Sequence, residues 1–267
     1  MTNKSIEYRL LDTLEEYQAC IPLQRATWGQ DFSEVIPAAM LKIANEMGGI
    51  AGGAFTEDNQ LAGFIFGVTG IRHGKLAHWS DMLAVYNKFR GCGIGQQLKR
   101  FQRDQLLERD VKTMYWTYDP LEAPNANLNW NHLGVKLEQY IPNMYGDTVS
   151  PMHSGLPTDR MLVEWCLDSD HVLDILAGER PYTEDDFAHA TVVELSDDTS
   201  FPESDRILIE IPKNIQQVKE DTVELAMQWR IHIRNAFQHY LVRNMQPVTF
   251  LRRSDSLCFY ALVQKDS

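Results

Sequence analysis

Between Arg90 and Gly95 the chain reads Arg-Gly-Cys-Gly-Ile-Gly, an R-x-x-G-x-G spacing set between an apolar run and a basic one. Glycines at alternate positions permit positive φ and let another group approach the backbone without meeting a Cβ. At a strand-to-helix turn the successive N–H groups point at one centre, and the helix N-terminus adds about half a positive charge. The chemistry this suits is a main-chain cradle for a pyrophosphate. Two other phosphate loops do not fit. Gln96 occupies the place of the last glycine in a dinucleotide fingerprint, and no Gly-Lys-Ser/Thr follows for a Walker loop. From Met82 to Arg103 the cations are Lys88, Arg90, Lys99, Arg100 and Arg103, with no carboxylate, whereas the whole chain carries a net charge of −12. An acidic protein thus keeps a basic patch around its glycines. The net charge weighs against nucleic-acid binding, which rests on phosphate neutralisation.

Upstream, Asp81 stands two residues before Leu83 in an apolar run, so a regular strand would put it on one face with Leu83 and Val85. A carboxylate there needs a partner, solvent or a function. His78 falls on the opposite face unless a bulge intervenes. Asn125, Asn127 and Asn131 crowd one short helical stretch although Asn is a poor helix former, which suggests local use or a frayed start. Cys92 reads as a small filler between glycines. The four cysteines are far apart and the eight histidines lack ligand spacing, so no metal and no disulfide is expected. Arg230 and Arg234 lie one turn apart, beside the apolar Trp229 and Ile233.

These residues need elements to position them. Alternation over "SIEYRLL" predicts a first strand. Helices are expected from about residue 12 to 28, with a kink or break at Pro22, and over "VIPAAMLKIANEMGG". Two apolar strands around "TEDNQ" form a hairpin, and "LAHWSDMLAVY" is a further strand. From Gly93 the period changes, with Ile94, Leu98 and Phe101 on one helical face. "VKTMYWTYDP" is a strand, "APNANLNWNHLG" a helix and "VKLEQYIPNMYG" a strand. Beyond "GLPTDR" come a strand near 160–168, a poorly patterned acidic stretch, the strand "RILIEIP", a long helix opened by an Asp221-to-Glu224 capping box, and a closing hairpin. The boundary near residue 157 divides the chain into 1–157 and a C-terminal α+β part, 158–267.

At 267 residues and 44% hydrophobic, the chain can bury a large core. Its first residues carry no apolar signal core, and no apolar run approaches the roughly 20 residues needed to cross a bilayer. A cytoplasmic location, reduced thiols and no membrane partner are expected.

Arg90 to Gly95 resemble the acyl-CoA motif of the GNAT superfamily of N-acyltransferases, R/Q-x-x-G-x-G/A, and the order of elements over residues 5–146 is similar to that family's. The segments "WTYDPLEAPNANLNWNHLG", "NMYGD", "GLPTDR", "EIP" and the "WR…R…F" helix resemble a narrower two-part branch, some members of which are associated with N-succinylation of amino acids. The resemblance implies a mixed α/β fold with a twisted mixed sheet flanked by helices. It implies acetyl-CoA or another acyl-CoA as co-substrate and direct attack by the amine of a small molecule, possibly an amino acid. It also implies a monomer or homodimer. The cradle would be Arg90, Gly91, Cys92, Gly93, Ile94 and Gly95. The strand end Leu83, Ala84 and Val85 would pair with pantetheine, with the Val85 N–H as oxyanion donor, and Asn125 and Asn127 would meet pantetheine amides. Asp81 would be the base, with His78 in reserve. Trp130 stands where many members place a tyrosine and cannot protonate a thiolate, which leaves Tyr140, Tyr145 or water as the acid. Arg230 or Arg234 would hold a carboxylate of the acceptor or of a succinyl group, unless each pairs with a nearby acid. The competing expectation is a non-catalytic acyl-CoA-binding module that kept the cradle and lost the chemistry.

Overall fold

A computed structural model describes residues 5–146, 155–196 and 201–265. Asp147, which ends the "NMYGD" segment, lies outside the described residues. The chain divides into two compact units. The first takes the described residues up to Trp116 together with Cys166–Asp168, and the second takes the others.

In the first unit the order is β1 (Ile6–Leu10), α1 (Leu14–Trp28), α2 (Ala38–Glu46), β2 (Ile50–Thr56), β3 (Leu61–Arg72), β4 (Lys75–Val85), α3 (Ile94–Leu107) and β5 (Thr113–Tyr118, ending in the second unit). The strands lie in the sheet in chain order. β1 to β4 are antiparallel neighbours, and β4 and β5 are parallel. This is the mixed sheet flanked by helices that the resemblance implies. Period-2 alternation sends neighbouring residues to opposite faces. Phe64 and Phe66 pack with Tyr17, Leu23 and Leu41 of α1 and α2, while Ile65 packs with Ile94 and Leu98 of α3.

α1 starts at a capping box. The Thr13 hydroxyl accepts from Glu16 N–H, and the Glu16 carboxylate reaches back to the cap and also pairs with Arg9 at 2.6 Å. The helix runs unbroken through Pro22, which was expected to kink or end it. Leu23 and Cys20 on either side are fully buried, so packing outweighs the one backbone bond that a proline forfeits. The buried Gln24 amide then bonds both the N–H and the C=O of Ile36, fixing the chain between α1 and α2.

The second unit holds α4 (Ala123–Asn127), which runs into a single π-helical turn at Leu128–Leu133, then β6 (Lys136–Ile141), β7 (Arg160–Cys166), α5 (Asp170–Ala177), β8 (Thr191–Val193), β9 (Arg206–Pro212), α6 (Ile215–Asp221), α7 (Val223–Leu241), β10 (Met245–Leu251) and β11 (Leu257–Gln264). β6 pairs with β7, and β10-β11-β9-β8 form a four-stranded sheet. Two local expectations change here. The acidic stretch contains α5, capped by Ser169 and closed by Gly178 at φ 100°. The capping box at Asp221 does not form. Asp221 ends α6, capped by Asn214, and Thr222 is extended with no side-chain cap bond to α7.

Candidate active site

The site residues of the first unit gather at the C-terminal end of β4. Register with β3 pairs Gly67 with Ser80 and Phe66 with Met82, which leaves Asp81 as an extra residue in a bulge. The bulge switches the strand's faces. His78 and Ser80 meet Gln102 and Lys99 of α3, and beyond the bulge it is Leu83 and Val85 that pack against Ile94 and Leu98 of the same helix. Met82 and Ala84 face α1 and α2. Asp81 therefore does not share a face with Leu83 and Val85, contrary to the regular-strand expectation. Its carboxylate instead takes a hydrogen bond from the Trp79 indole, in the field of Glu34. It is exposed by surface area, yet the protein around it raises its pKa through desolvation, which outweighs the Trp79 bond. Glycine at position 67 lets the strands close over the bulge, since a Cβ there would lie 2.3 Å from His78 Nε2.

β4 and β5 pair at only two positions, His78 with Met114 and Trp79 with Tyr115. From Ser80 onward β4 has no register partner on β5, so the two strands part. The direction of the freed edge follows from one peptide unit. The Tyr86 N–H donates to Ala62 of β3 at 3.0 Å, so the Val85 carbonyl on the same peptide points away from β3. In an extended strand a residue's N–H and C=O share a side. The Val85 N–H, and by the period of two that of Leu83, therefore aims off the open edge. Arg90 folds back on this edge, its Nε donating to the Val85 carbonyl at 3.1 Å.

The glycine turn then delivers the start of α3. Gly91 and Gly93 sit at φ 78° and 76°, the left-handed region, and Gly93 is the N-cap of α3 without a side-chain cap bond. A Cβ built on either would meet nothing within 4 Å. The internal packing thus leaves room there, and the backbone conformation is what asks for glycine. Cys92 is exposed between them, its thiol 3.8 Å from the Arg90 carbonyl. A hollow of about 230 Å³ beside Val85 is lined by Leu23, Ala26 and Thr27 of α1 and by the chain from Val85 to Lys88.

His78, the reserve base, is not at the surface. It is 0% exposed, and both ring nitrogens are used, one by the Gln102 amide and one by the Thr69 hydroxyl, each at 3.0 Å. Burial, with Lys99 and Arg109 adding to it, pushes the imidazole down to about 3. A neutral, doubly bonded ring has no lone pair to offer an amine. Sequence reading gave no role to Gln102, which holds the ring, and counted Lys99 in the basic patch, whereas it is 4% exposed. Lys99 and Gln102 are one helical turn apart on α3, and polar residues on an otherwise apolar stripe are the signal that would have found them.

The remaining candidates belong to the second unit. The Tyr140 hydroxyl is buried and donates to Asp159 Oδ2 at 2.8 Å. Burial and the Asp159 charge raise its pKa well above the ordinary phenol value, so it is a poor acid. Tyr145 is half exposed, its hydroxyl 3.2 Å from that of Thr117. Asn125 is exposed, and the Asn127 carbonyl accepts from Asn131, which itself clamps the Phe250 backbone. Trp130 is buried and donates to the Tyr118 hydroxyl. The arginines are already filled. Arg230, 1% exposed, forks onto Asp119 at 2.9 and 2.5 Å, and Arg234 forks onto Asp159 at 2.8 and 2.5 Å. Against the cost of burial, Arg230 and Arg160 hold the Asp119 carboxyl below its ordinary value. Of the two readings of Arg230 and Arg234, the structure has each paired with a nearby acid. Among the described residues no group of His, Cys, Asp or Glu could hold a metal ion, and no helix is long and apolar enough to cross a membrane.

No family model matches the chain. No curated protein matches it. Solved structures do. A chain of the NatC complex bound to Gag peptide and CoA is 17% identical, at a TM-score of 0.50 over 61% of this chain and 98% of that one. An aminoglycoside 6'-acetyltransferase type Ii is 19% identical, at 0.49 over 61% and 98%. An acetyltransferase of the GNAT family from Streptococcus pneumoniae is 14% identical, at 0.48 over 60% and 98%. At these identities the likeness is one of fold: a mixed α/β sheet flanked by helices, shared with the NatC chain.

Proposed function

We propose that the chain is an acyl-CoA-dependent N-acyltransferase that moves an acetyl-type group onto the amine of a small molecule. The observation that carries this reading is the continuity of the first unit's open edge. Unpaired backbone at Leu83 and Val85 runs through Arg90 into a left-handed glycine turn and an uncapped helix start. A thioester with a pantetheine arm and a pyrophosphate is a ligand whose parts match that series in order. The NatC structure of the same fold carries CoA, which supports the choice.

In this reading the N–H groups at the start of α3 hold the pyrophosphate, and glycine at 91 and 93 lets its oxygens approach. Pantetheine amides pair with the open edge of β4. The Val85 N–H donates to the thioester oxygen and strengthens that bond as the tetrahedral oxyanion forms. Asp81, on the α1 and α2 face, takes the proton that leaves the attacking ammonium, and its raised pKa brings it closer to that task. CoA leaves as the thiolate and takes its proton from water, since Trp130 has no acidic proton to give and Tyr140 is spent on Asp159. Arg230 and Arg234 are filled by Asp119 and Asp159, so the reading keeps acetyl and leaves succinyl without a named partner.

The second reading, an acyl-CoA-binding module without chemistry, draws on the same placements, because His78 and Tyr140 are both withdrawn from catalysis. Release of free thiol from acetyl-CoA across a panel of amines separates the two. Amine-dependent release supports the transferase, whereas acetyl-CoA binding without release supports the module.

A further inference from the structure

A buried polar chain runs beneath the bulge, and none of it enters the chemistry above. Lys99 of α3 is 4% exposed, and its Nζ donates to Ser80 Oγ at 2.8 Å. Ser80 in turn donates to Gln102 Oε1 at 2.8 Å. The Gln102 amide meets His78 Nε2, His78 Nδ1 meets Thr69, and Thr69 donates to the Gly48 carbonyl at 2.8 Å. The Lys99 ammonium position also lies 3.7 Å from the Trp116 ring centroid and 3.9 Å from Met114 Sδ, both on β5. No described carboxylate lies within salt-bridge reach of it. Burial lowers its pKa well below the ordinary lysine value.

A lysine without a counter-ion inside a core is costly, so its placement calls for a reason. Three of its contacts coincide with the features that make the site. Ser80 is the last paired residue before Asp81 in the bulge, and the first residue of β4 past its pairing with β5. Met114 is one of the two β5 residues still in register with β4, and Trp116 is where β5 continues after register is lost. Lys99 itself is carried by the helix whose first turn is the glycine loop. One side chain therefore touches the bulge and both strands at their parting, from the element that starts the cradle.

We propose that Lys99 is a positioning residue: it holds Ser80, and through it the bulge and the parting of β4 from β5, so that the Leu83 and Val85 edge faces the acyl-pantetheine arm. The inference rests on the acyl-CoA reading above. It acts on the arm of the ligand and not on its nucleotide, because its contacts are with Ser80 on β4 and with Met114 and Trp116 on β5. Lys99→Met keeps the length and apolar stem and removes the donor. Ser80→Ala removes the acceptor with a smaller change of volume and serves if the first variant folds poorly.

The test is calorimetric titration of both variants with two probes, acetyl-CoA and ADP, which carries a pyrophosphate without the arm. Lys99→Met and Ser80→Ala are expected to weaken acetyl-CoA by about tenfold and to leave ADP unchanged. The double variant should lose no more than either single one, because the two residues act as a unit. Equal losses for both probes, unchanged affinity for both, or additive losses would overturn the proposal. Failure of the wild-type protein to bind either probe would instead overturn the acyl-CoA reading, and the positioning role with it.

Discussion

The Nε of Arg90 donates to the carbonyl of Val85 across 3.1 Å, closing the glycine turn back onto the strand that precedes it. The first cation of the R-x-x-G-x-G spacing thus engages its own backbone, fixing the edge from which the Val85 N–H projects. Arg90→Met should free that edge and remove a cation from the cradle. Acetyl-CoA affinity should fall about tenfold, or about 1.4 kcal/mol, with little change in melting temperature because the side chain is exposed. Titration calorimetry checks this, and an unchanged affinity would leave Arg90 no part in the site.

Asp81→Asn separates catalysis from stability. Turnover should drop on the order of a hundredfold if Asp81 is the base. Its folded pKa lies above the unfolded one, so its contribution to stability is present below the unfolded value and lost as pH rises through the folded one. Above that window the ionised carboxylate is a burden, and the Asn variant should melt at an equal or higher temperature than wild type near neutrality. Below about pH 3 the advantage should vanish. A slower and also less stable variant would point to a structural Asp81.

Lys99→Met has the opposite sign of pH dependence. Burial depresses the lysine's folded pKa, so its contribution is present above the unfolded value and falls away as pH drops toward the folded one. Wild type should lose stability as pH falls through the alkaline range, and the Met variant should show a flatter profile. Thermal melts from pH 7 to 10 check this. Parallel profiles would mean that Lys99 stays charged in the fold.

In the second unit, Arg230→Met should cost about 3 kcal/mol, because the buried Asp119 carboxylate loses its forked partner and keeps only Arg160 at 3.7 Å and the Leu121 N–H. Arg234→Met should cost less, since its own side chain is 26% exposed and Asp159 keeps the Tyr140 hydroxyl and the Asn143 N–H. Neither should alter preference among acyl donors. Denaturant unfolding gives the two costs, and a change in acyl preference would restore a substrate role to these arginines.

The elements up to β5 were legible because their signals are local. Alternation marks β2, β3 and β4, and the change of period at Gly93 marks α3. The bulge was not legible. A register slip at Asp81 depends on what Gly67 permits across the ladder, which no pattern within β4 records, and it moved Asp81 off the face of Leu83 and Val85. Arg230 and Arg234 were read as lying beside an apolar stripe, but Arg230 is fully buried, and the partners Asp119 and Asp159 lie 111 and 75 residues away in sequence. α5 was missed because Asp170 and Asp174 precede and interrupt its two buried residues, Val172 and Ile175. Its ends, Ser169 and Gly178, carried the signal.

The central claim is that the glycine turn and the open β4 edge bind an acyl-CoA, and the shift in melting temperature with acetyl-CoA tests it most directly. At a hundred times the dissociation constant, binding should stabilise the fold by about 2.7 kcal/mol. For a chain of this size that is a rise of roughly 5–10 °C. Gly93→Val should fold, since nothing lies within 4 Å of the added Cβ, at a cost set by its left-handed φ. It should lose the shift, because the side chain fills the space left for the pyrophosphate. A shift in the wild type that disappears in a folded Gly93→Val protein is the predicted result, and no shift in the wild type, or the same shift in both, would contradict it.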